Sequence, residues 1–319
     1  MQMPEKYGDL DNALTEMSDL ISCHAVKEGE NKTILEDLTL FRISSPTLPD
    51  CWLYDPSVAI IARGHKKITL GGHSFEYNPS QFLLTAIDMP TITQVLSATP
   101  EAPYLGLLLK IDLQAVTQLL VDNNEATVQR KVTGSGIGLS PASCSLADAF
   151  NRLLRLLDEP GDIPVMAPML RREIIYRLIR SECGERLRQM AVVGSQGHKI
   201  NLAIRWLKEN FTRPLRIEDL ADSVRMSSST LHVHFRNITS MSPLQYQKWL
   251  RLNEARRLLL AGYMDVTHVA FSVGYESPTH FNRDYSRLFG DSPLRDARRL
   301  RQGYAGERPK KAGAGNTPF

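Results

Sequence analysis

The sequence predicts an α+β protein with two unlike halves. The first is a small N-terminal β-barrel with flanking helices. The second is a C-terminal all-α domain of two similar units joined by a linker helix. Three features point this way: short apolar or alternating segments crowd residues 38–111, a stretch of the second half recurs at an offset of 49–50 residues, and charge is divided unevenly. Residues 199–319 hold 20 Lys and Arg against 11 Asp and Glu, a net +9, whereas residues 1–198 hold 18 against 24, a net −6. A basic module beside an acidic one suggests a polyanion partner for the basic half. At 319 residues the chain exceeds one ordinary core and suits two domains.

The strand segments are LTLFRI (38–43), VAIIA (58–62), KITLGGHSFEY (67–77), QFLLTA (81–86), TITQV (91–95) and YLGLLLKI (104–111). Pro, Gly, Asp and Asn turn signals separate them, and their even spacing suits a small barrel or sandwich. From residue 112 apolar residues recur at three-and-four spacing in DLQAVTQLL, LADAFNRLLRLLD (146–158) and MLRREIIYRLIRSECGERLRQM (169–190), so these read as helices. VTGSGIGLSPAS (132–143) reads as a loop and VVGSQGHK (192–199) as a linker. The tail over 302–319 is rich in Gly, Pro and Lys and reads as disordered. Helices 146–190 are the natural dimer face or transmission element, although their Leu/Ile stripe suits packing on the barrel equally well.

In the repeat, IEDLADSVRM (217–226) lies on VTHVAFSVGY at offset 49. One inserted residue then sets offset 50, which matches Ser227 with Ser277, Leu231 with Phe281, Phe235 with Tyr285, and Ser242-Pro243 with Ser292-Pro293. Each copy reads as a short helix, a tight turn and a second helix, the helix-turn-helix arrangement, over 218–239 and 266–289. Leu231, Phe235 and Ile238 form one buried stripe, as do Phe281, Tyr285 and Leu288. Ser228, Ser229, His232, Val233 and Arg236 then face outward in the first copy, and Thr279, Asn282, Arg283 and Ser286 in the second. Small, polar and basic side chains on a helix suit a DNA major groove. Ser227 or Ser228 can cap the first of these helices, Ser277 with Pro278 the second, and Asp265 the helix before it. The connecting SPLQYQKWLRLNEARRLLL (242–260) reads as a helix of about 27 Å, near the roughly 34 Å between major-groove faces along one side of a duplex.

These motifs carry a resemblance. LADSVRMSSSTLHVHF, SPLQYQKWLRLNEARRLL and VAFSVGYESPTHFNRDYSRLFGDSP make residues 199–300 similar to the DNA-binding domain of AraC/XylS-type transcriptional regulators. Residues 56–112 resemble the cupin-like N-terminal domain of one AraC-type subgroup, which implies effector sensing or self-association. Val233 stands where the family often has Arg, and Ala297 where it usually has Tyr. The resemblance implies a one-component, sequence-specific DNA-binding regulator with an effector and dimerisation domain over 1–195. Its implied partners are double-stranded DNA, RNA polymerase, a small-molecule effector and a second copy of the chain.

Trp52, Tyr54, Phe75, Phe82 and Tyr104 are the candidate lining of an effector pocket, a barrel of this size being able to hold one small ligand. The competing reading is a cupin-type enzyme or binding protein with an incidental helical half. GSGIG (134–138) lacks the spacing of a dinucleotide loop, and no GxSxG occurs, so no catalytic residue is assigned. His65, His73 and Glu76 are only fragments of a cupin metal site, and His232 and His234 diverge by about 200° on a helix, so no metal or other cofactor is expected. Cys23, Cys51, Cys144 and Cys183 form no CxxC pair and read as reduced thiols, with Cys51 the one weighed as a sensor. MQMPEKYGDL has no apolar h-region, and no run approaches the roughly 18 apolar residues of a membrane span, so a cytoplasmic protein without membrane contact is expected.

Overall fold

The structure, a computed structural model, describes residues 7–71, 73–125 and 134–305. Two compact units divide the chain: Met1–Trp206 with Ile217–Pro243, and Leu207–Arg216 with Leu244–Phe319. The sequence places a boundary near 195–199, whereas packing groups the first helix-turn-helix unit with the N-terminal half.

The first unit opens with helix α1 (Tyr7–His24), followed by β1 (Gly29–Lys32), β2 (Leu38–Ile43), β3 (Asp50–Tyr54), β4 (Ser57–Arg63), β5 (His65–Leu70), β6 (His73–Tyr77), β7 (Gln81–Thr85), β8 (Met89–Ser97) and β9 (Tyr104–Lys110). Helix α2 (Leu113–Asp122), strand β10 (Ile137–Pro141) and helices α3 (Cys144–Arg155), α4 (Ile163–Arg180) and α5 (Gly184–Ala191) complete its N-terminal part. The expected barrel takes the form of two antiparallel sheets, one of six strands in the order β1-β2-β9-β4-β7-β10 and one of four in the order β3-β8-β5-β6. Strands β4 and β9 are buried on both faces because α1 covers the outer side, packing on β2, β4, β9 and α3. A bulge between Ile61 and Arg63, then Gly64 at φ +99°, takes the chain from the larger sheet to the smaller. That positive φ is open to glycine at little cost.

Three elements depart from expectation. The stretch read as a Gly/Ser loop contains β10, which pairs with β7 from Ile137↔Thr85 to Pro141↔Gln81. Edge position lets Gly138 and Pro141 sit in a strand their propensities disfavour. The long segment 169–190 is broken into α4 and α5, with Ser181 extended at ψ 171° between them. The 192–199 linker shrinks to a short turn, since α6 (Gln196–Asn210) begins within it. Ser195 helps to close that turn, its hydroxyl donating to the Gln189 carbonyl at 2.5 Å and accepting from His198 N–H at 3.0 Å.

Helices α7 (Ile217–Ser223) and α8 (Ser228–Thr239) form the first repeat unit. Helix α9 (Pro243–Ala261) follows, then α10 (Val266–Ser272) and α11 (Pro278–Phe289), the second repeat unit, and α12 (Pro293–Ala305). The core of the second unit gathers Leu252, Ala255, Leu259, Val269, Ala270, Val273, Phe281, Tyr285 and Ala297. Beneath it Asp296 is fully buried and accepts from Arg256 Nε (2.8 Å), Arg299 (2.7 Å) and the Tyr285 hydroxyl (2.9 Å). Ala297 thus fills a packed position. Helix α12 reaches Ala305 and takes in the first residues of the expected tail, while 306–319 lie outside the described residues.

Candidate functional site

The two repeat units share one backbone plan. In the first, Met226 N–H donates to Ala221 O at 3.0 Å with Arg225 at φ +53°; in the second, Tyr275 N–H donates to Ala270 O at 3.0 Å with Gly274 at φ +90°. Both turns therefore need a left-handed residue, and only the second copy supplies glycine. A Cβ at Gly274 would also lie 2.1 Å from the Thr212 carbonyl oxygen, so this position is closed to any side chain. The helix after each turn is capped alike. Ser227 Oγ accepts from Thr230 N–H at 3.3 Å, and Ser277 Oγ from His280 N–H at 3.5 Å, with Pro278 in the first turn. Each ends on a left-handed residue, Ser240 at φ +59° and Gly290 at φ +77°. Asp265 caps α10 through His268 N–H at 2.8 Å.

With Leu231, Phe235 and Ile238 fully buried, α8 turns Ser229, His232, Val233 and Arg236 to solvent, and Ser228 is half-buried. With Phe281 and Tyr285 buried, α11 presents Thr279, Asn282 and Arg283, and Ser286 is half-buried. Each face so assembles the residues that the sequence assigned to it. Arg236, Arg283 and Arg287 are exposed and make no ion pair among the described residues. Arg287 extends the α11 face by one turn and escaped the sequence reading, although its spacing of four from Arg283 was visible. Asp284 turns inward instead, where it accepts from Lys248 Nζ at 2.9 Å and the Tyr275 hydroxyl at 3.4 Å. Val233 is an exposed apolar side chain on this face, 57% accessible.

The C-terminal end of α8 is not free. Gly136 N–H donates to Ile238 O at 2.9 Å, and Ser135 Oγ reaches the same carbonyl at 3.4 Å. Arg186 holds the Ser135 carbonyl at 3.0 Å from the other side. Gly71, in the β5–β6 turn, packs so closely on Ser240 that a Cβ there would lie 2.5 Å from the serine Cβ. Two glycine positions of the sheet domain thus seat the last turn of the outward-facing helix, a contact that no periodicity in the sequence announces.

The five aromatic residues read as a pocket lining separate into two groups. Trp52 and Tyr54 meet between the sheets, where Trp52 stands 6.4 Å from the Tyr54 ring and 6.3 Å edge-on to Phe41, and Tyr104 lies near Tyr54 and Lys66. Phe75 lies on the same face of β6, two residues from Tyr77. Phe82 does not join them. It pairs in register with Ile60 and Ser140, on the opposite face of the larger sheet, and lines a cleft of about 660 Å³ with Leu146, Tyr176 and Arg177. Strand alternation decides this: Ile61 lies opposite Gly106 on the inner face, so its neighbour Ile60 and the paired Phe82 point outward. The sequence missed Lys66, which reaches the inner group and donates to Tyr54 Oη at 3.0 Å. A second cleft, of about 600 Å³, lies between the end of β9, α2 and α4. Its cations are already matched, Arg171 to Asp37 at 2.6 Å, Arg172 to Asp122 at 2.7 Å and Lys110 to Asp55 at 2.9 Å.

Among the described residues no three His, Cys, Asp or Glu side chains gather as metal ligands. His65 and His73 are exposed, as is His232, whereas His234 is half-buried. Cys23, Cys51, Cys144 and Cys183 are all free thiols, and burial pushes the Cys183 thiol up. No described helix is long and apolar enough to cross a membrane.

Comparison with known proteins agrees with both halves. The family described as AraC-type transcriptional regulator N-terminus matches residues 34–186, and a helix-turn-helix domain family matches 220–299. The HTH-type transcriptional activator RhaS of Escherichia fergusonii is 38% identical over 105 residues, covering 33% of this chain and 36% of that protein. RhaS of Escherichia coli O1:K1 / APEC is 31% identical over 149 residues, 46% of this chain and 51% of its own. The chain therefore spans about half the length, or less, of these curated relatives. Among solved structures, ToxT of Vibrio cholerae strain SCE256, with an unsaturated fatty acid bound, matches 85% of this chain and 97% of its own with a TM-score of 0.51 at 12% identity. ToxT of strain O395, bound to a substituted butenoic acid, has a TM-score of 0.53 at 13% identity over 82% of this chain and 98% of its own. These two likenesses are of fold.

Proposed function

We propose that the chain is an AraC-type regulator, one-component and sequence-specific in DNA binding, whose N-terminal domain responds to a small-molecule effector; the family matches over residues 34–186 and 220–299 support this reading. Two helix-turn-helix units with matched turns and caps, each turning a small, polar and basic helix face outward, support DNA as the partner. Side chains of this type reach base edges and phosphates from a major groove. Asn282 is suited to adenine and Arg283 to guanine, Arg236 to a guanine or a phosphate, and the capped helix starts to phosphate oxygens. The curated relatives are transcription regulators by name, and we infer no catalytic role for this chain.

The contact of Gly136 and Gly71 with the end of α8 supports a route from the N-terminal domain to DNA affinity, because a shift in either turn must move Ile238 or Ser240. Exposed Val165, Met169 and Tyr176 share one side of α4, and this stripe supports a homodimer. Transcriptional output further implies RNA polymerase as a partner and the cytoplasm as the site of action. Selection of bound duplexes from a random library with the full chain is expected to enrich one asymmetric site with two separately protected segments. Enrichment of no sequence over the input library would remove the DNA-reading assignment.

A further inference from the structure

The cleft between the end of β9, α2 and α4 holds about 600 Å³, inside the roughly 300–1,000 Å³ of small-molecule sites. Leu109 and Ile111 line it from the end of β9, Leu119 from α2, and Ile174 and Ile175 from α4. Leu109 follows Leu107 by two residues, and Leu107 pairs with the outward-pointing Ile60. The cleft therefore meets the outer face of the larger sheet and not the space between the sheets.

Each charged residue on the rim already has a partner. Arg171 grips Asp37 with two nitrogens, each at 2.6 Å. Arg172 meets Asp122 at 2.7 Å, and Lys110 meets Asp55 at 2.9 Å. Asp112 caps α2, accepting from Gln114 N–H at 2.8 Å, and Gln118 gives its amide nitrogen to Asp122 at 2.7 Å. Hydrogen bonds from Arg172 and Gln118 hold the Asp122 carboxyl below its ordinary value, and the bond to Asp55 raises the Lys110 ammonium. Both pairs thus stay charged and matched at neutral pH.

The Arg172 and Lys110 pairs are exposed and contribute little to stability, but they set selectivity. An anion entering the cleft has to displace a carboxylate from its cation, and a cation has to displace a guanidinium or an ammonium. A neutral apolar molecule meets no such competitor and gains by covering the Leu and Ile surface. The two-pronged Arg171 pair is less exposed and ties α4 to the turn before β2, so this wall is fixed before a ligand arrives. We infer that the cleft is a binding site for an uncharged, mainly apolar small molecule, held against Leu109, Ile111, Leu119 and Ile175.

The cleft also has a path to α8. On α2, Thr117 donates its hydroxyl to the Ala191 carbonyl at the end of α5, at 2.9 Å. On α5, Arg186 holds the Ser135 carbonyl at 3.0 Å, and the neighbouring Gly136 N–H donates to Ile238 O. A ligand that displaces α2 therefore reaches the last turn of α8 through α5. This consequence rests on the effector-sensing reading above; the binding itself does not.

N-phenyl-1-naphthylamine is an uncharged fluorescent molecule, and 8-anilino-1-naphthalenesulfonate is the same skeleton with a negative charge added. Fluorescence titration of the full chain with each tests the site. The neutral probe is expected to saturate at one per chain, with the sulfonate at least tenfold weaker. Ala115 lines the cleft from α2 and is half-buried, so Ala115→Trp should fill the space and weaken the neutral probe at least tenfold. Ala115→Leu, a milder filling, should weaken it severalfold, and this result decides if the Trp variant does not fold. Failure of the neutral probe to saturate, equal binding of the two probes, or variants that bind as wild type does would each overturn the site. Measuring affinity for the selected duplex in the same samples separates the two readings. A neutral probe that binds in the cleft yet leaves DNA affinity unchanged upholds the site and sinks its role as a sensor. Intact DNA binding with no probe binding sinks the site alone.

Discussion

The backbone N–H of Gly136 donates to the carbonyl oxygen of Ile238 across 2.9 Å, tying the turn before β10 to the last turn of α8. Any Cβ at position 136 would lie 2.5 Å from Ile87 Cγ2 and 3.3 Å from Ile238 Cγ2. Gly136→Ala is therefore expected to cost about 1–3 kcal/mol through overpacking and to shift α8. Hydrogen exchange should quicken in the peptide covering 134–138 and in that covering 235–241, and DNA affinity should change with them. Unchanged exchange at 235–241 would show that the turn does not hold the helix.

Asn282 and Arg283 carry the sharpest expectation for sequence reading. Each is exposed, so replacement by Ala should leave thermal stability within about 0.5 kcal/mol of wild type. Each lost base contact should cost about 1–3 kcal/mol in affinity for the selected duplex and relax preference at one base pair. Competition titrations against single-base variants of that duplex read both effects.

The helix caps offer a test of the repeat itself. Ser227→Ala and Ser277→Ala remove equivalent hydroxyl acceptors and should each destabilise their unit by about 1 kcal/mol. Denaturant midpoints measure this, and a loss confined to one copy would show that the two caps are not equivalent in energy.

The buried Asp296 network makes stability depend on pH. Burial alone would raise the Asp296 carboxyl, but hydrogen bonds from Arg256 and Arg299 outweigh it and hold the group below its ordinary value of 3.8. The folded form thus binds this proton less tightly than the unfolded chain does. The stabilisation is complete above the unfolded value and is lost as pH falls through the folded one. Asp296→Asn, which removes the buried negative charge that Arg256 and Arg299 hold, should cost about 3–5 kcal/mol near neutral pH. The gap to wild type should narrow in acid. Paired unfolding titrations at pH 7 and pH 3 measure both, and a gap that widens in acid would assign the stabilisation to something other than this carboxylate.

Much of this architecture was legible because periodicity reports burial. LTLFRI coincides with β2, and the offset of 49, changing to 50 after Met226, reappears as paired turns at Arg225 and Gly274 and paired caps at Ser227 and Ser277. The outward positions of α8 and α11 follow once the buried stripes are known. Strand β10 was hidden because IGLSP has poor strand propensity and is held by pairing with β7. Helix α1 carries too mixed a pattern to read alone and is secured by packing on β2, β4, β9 and α3. Phe82 was misplaced because an isolated aromatic shows that it is buried but not which face of its sheet it occupies. Lys66 was missed for a related reason: a lysine on an alternating strand reads as solvent-facing, and only the register opposite Tyr77 turns it inward.

Salt dependence tests the central assignment most directly. Fluorescence anisotropy of the full chain with the selected duplex, at several salt concentrations, is expected to give log affinity falling linearly with log salt. The slope should reflect several neutralised phosphates, and Arg236→Ala or Arg287→Ala should each reduce it by about one wherever that side chain meets a phosphate. A flat salt profile, with these variants and Asn282→Ala and Arg283→Ala binding as tightly as wild type, would contradict the claim that the outward faces of α8 and α11 bind DNA.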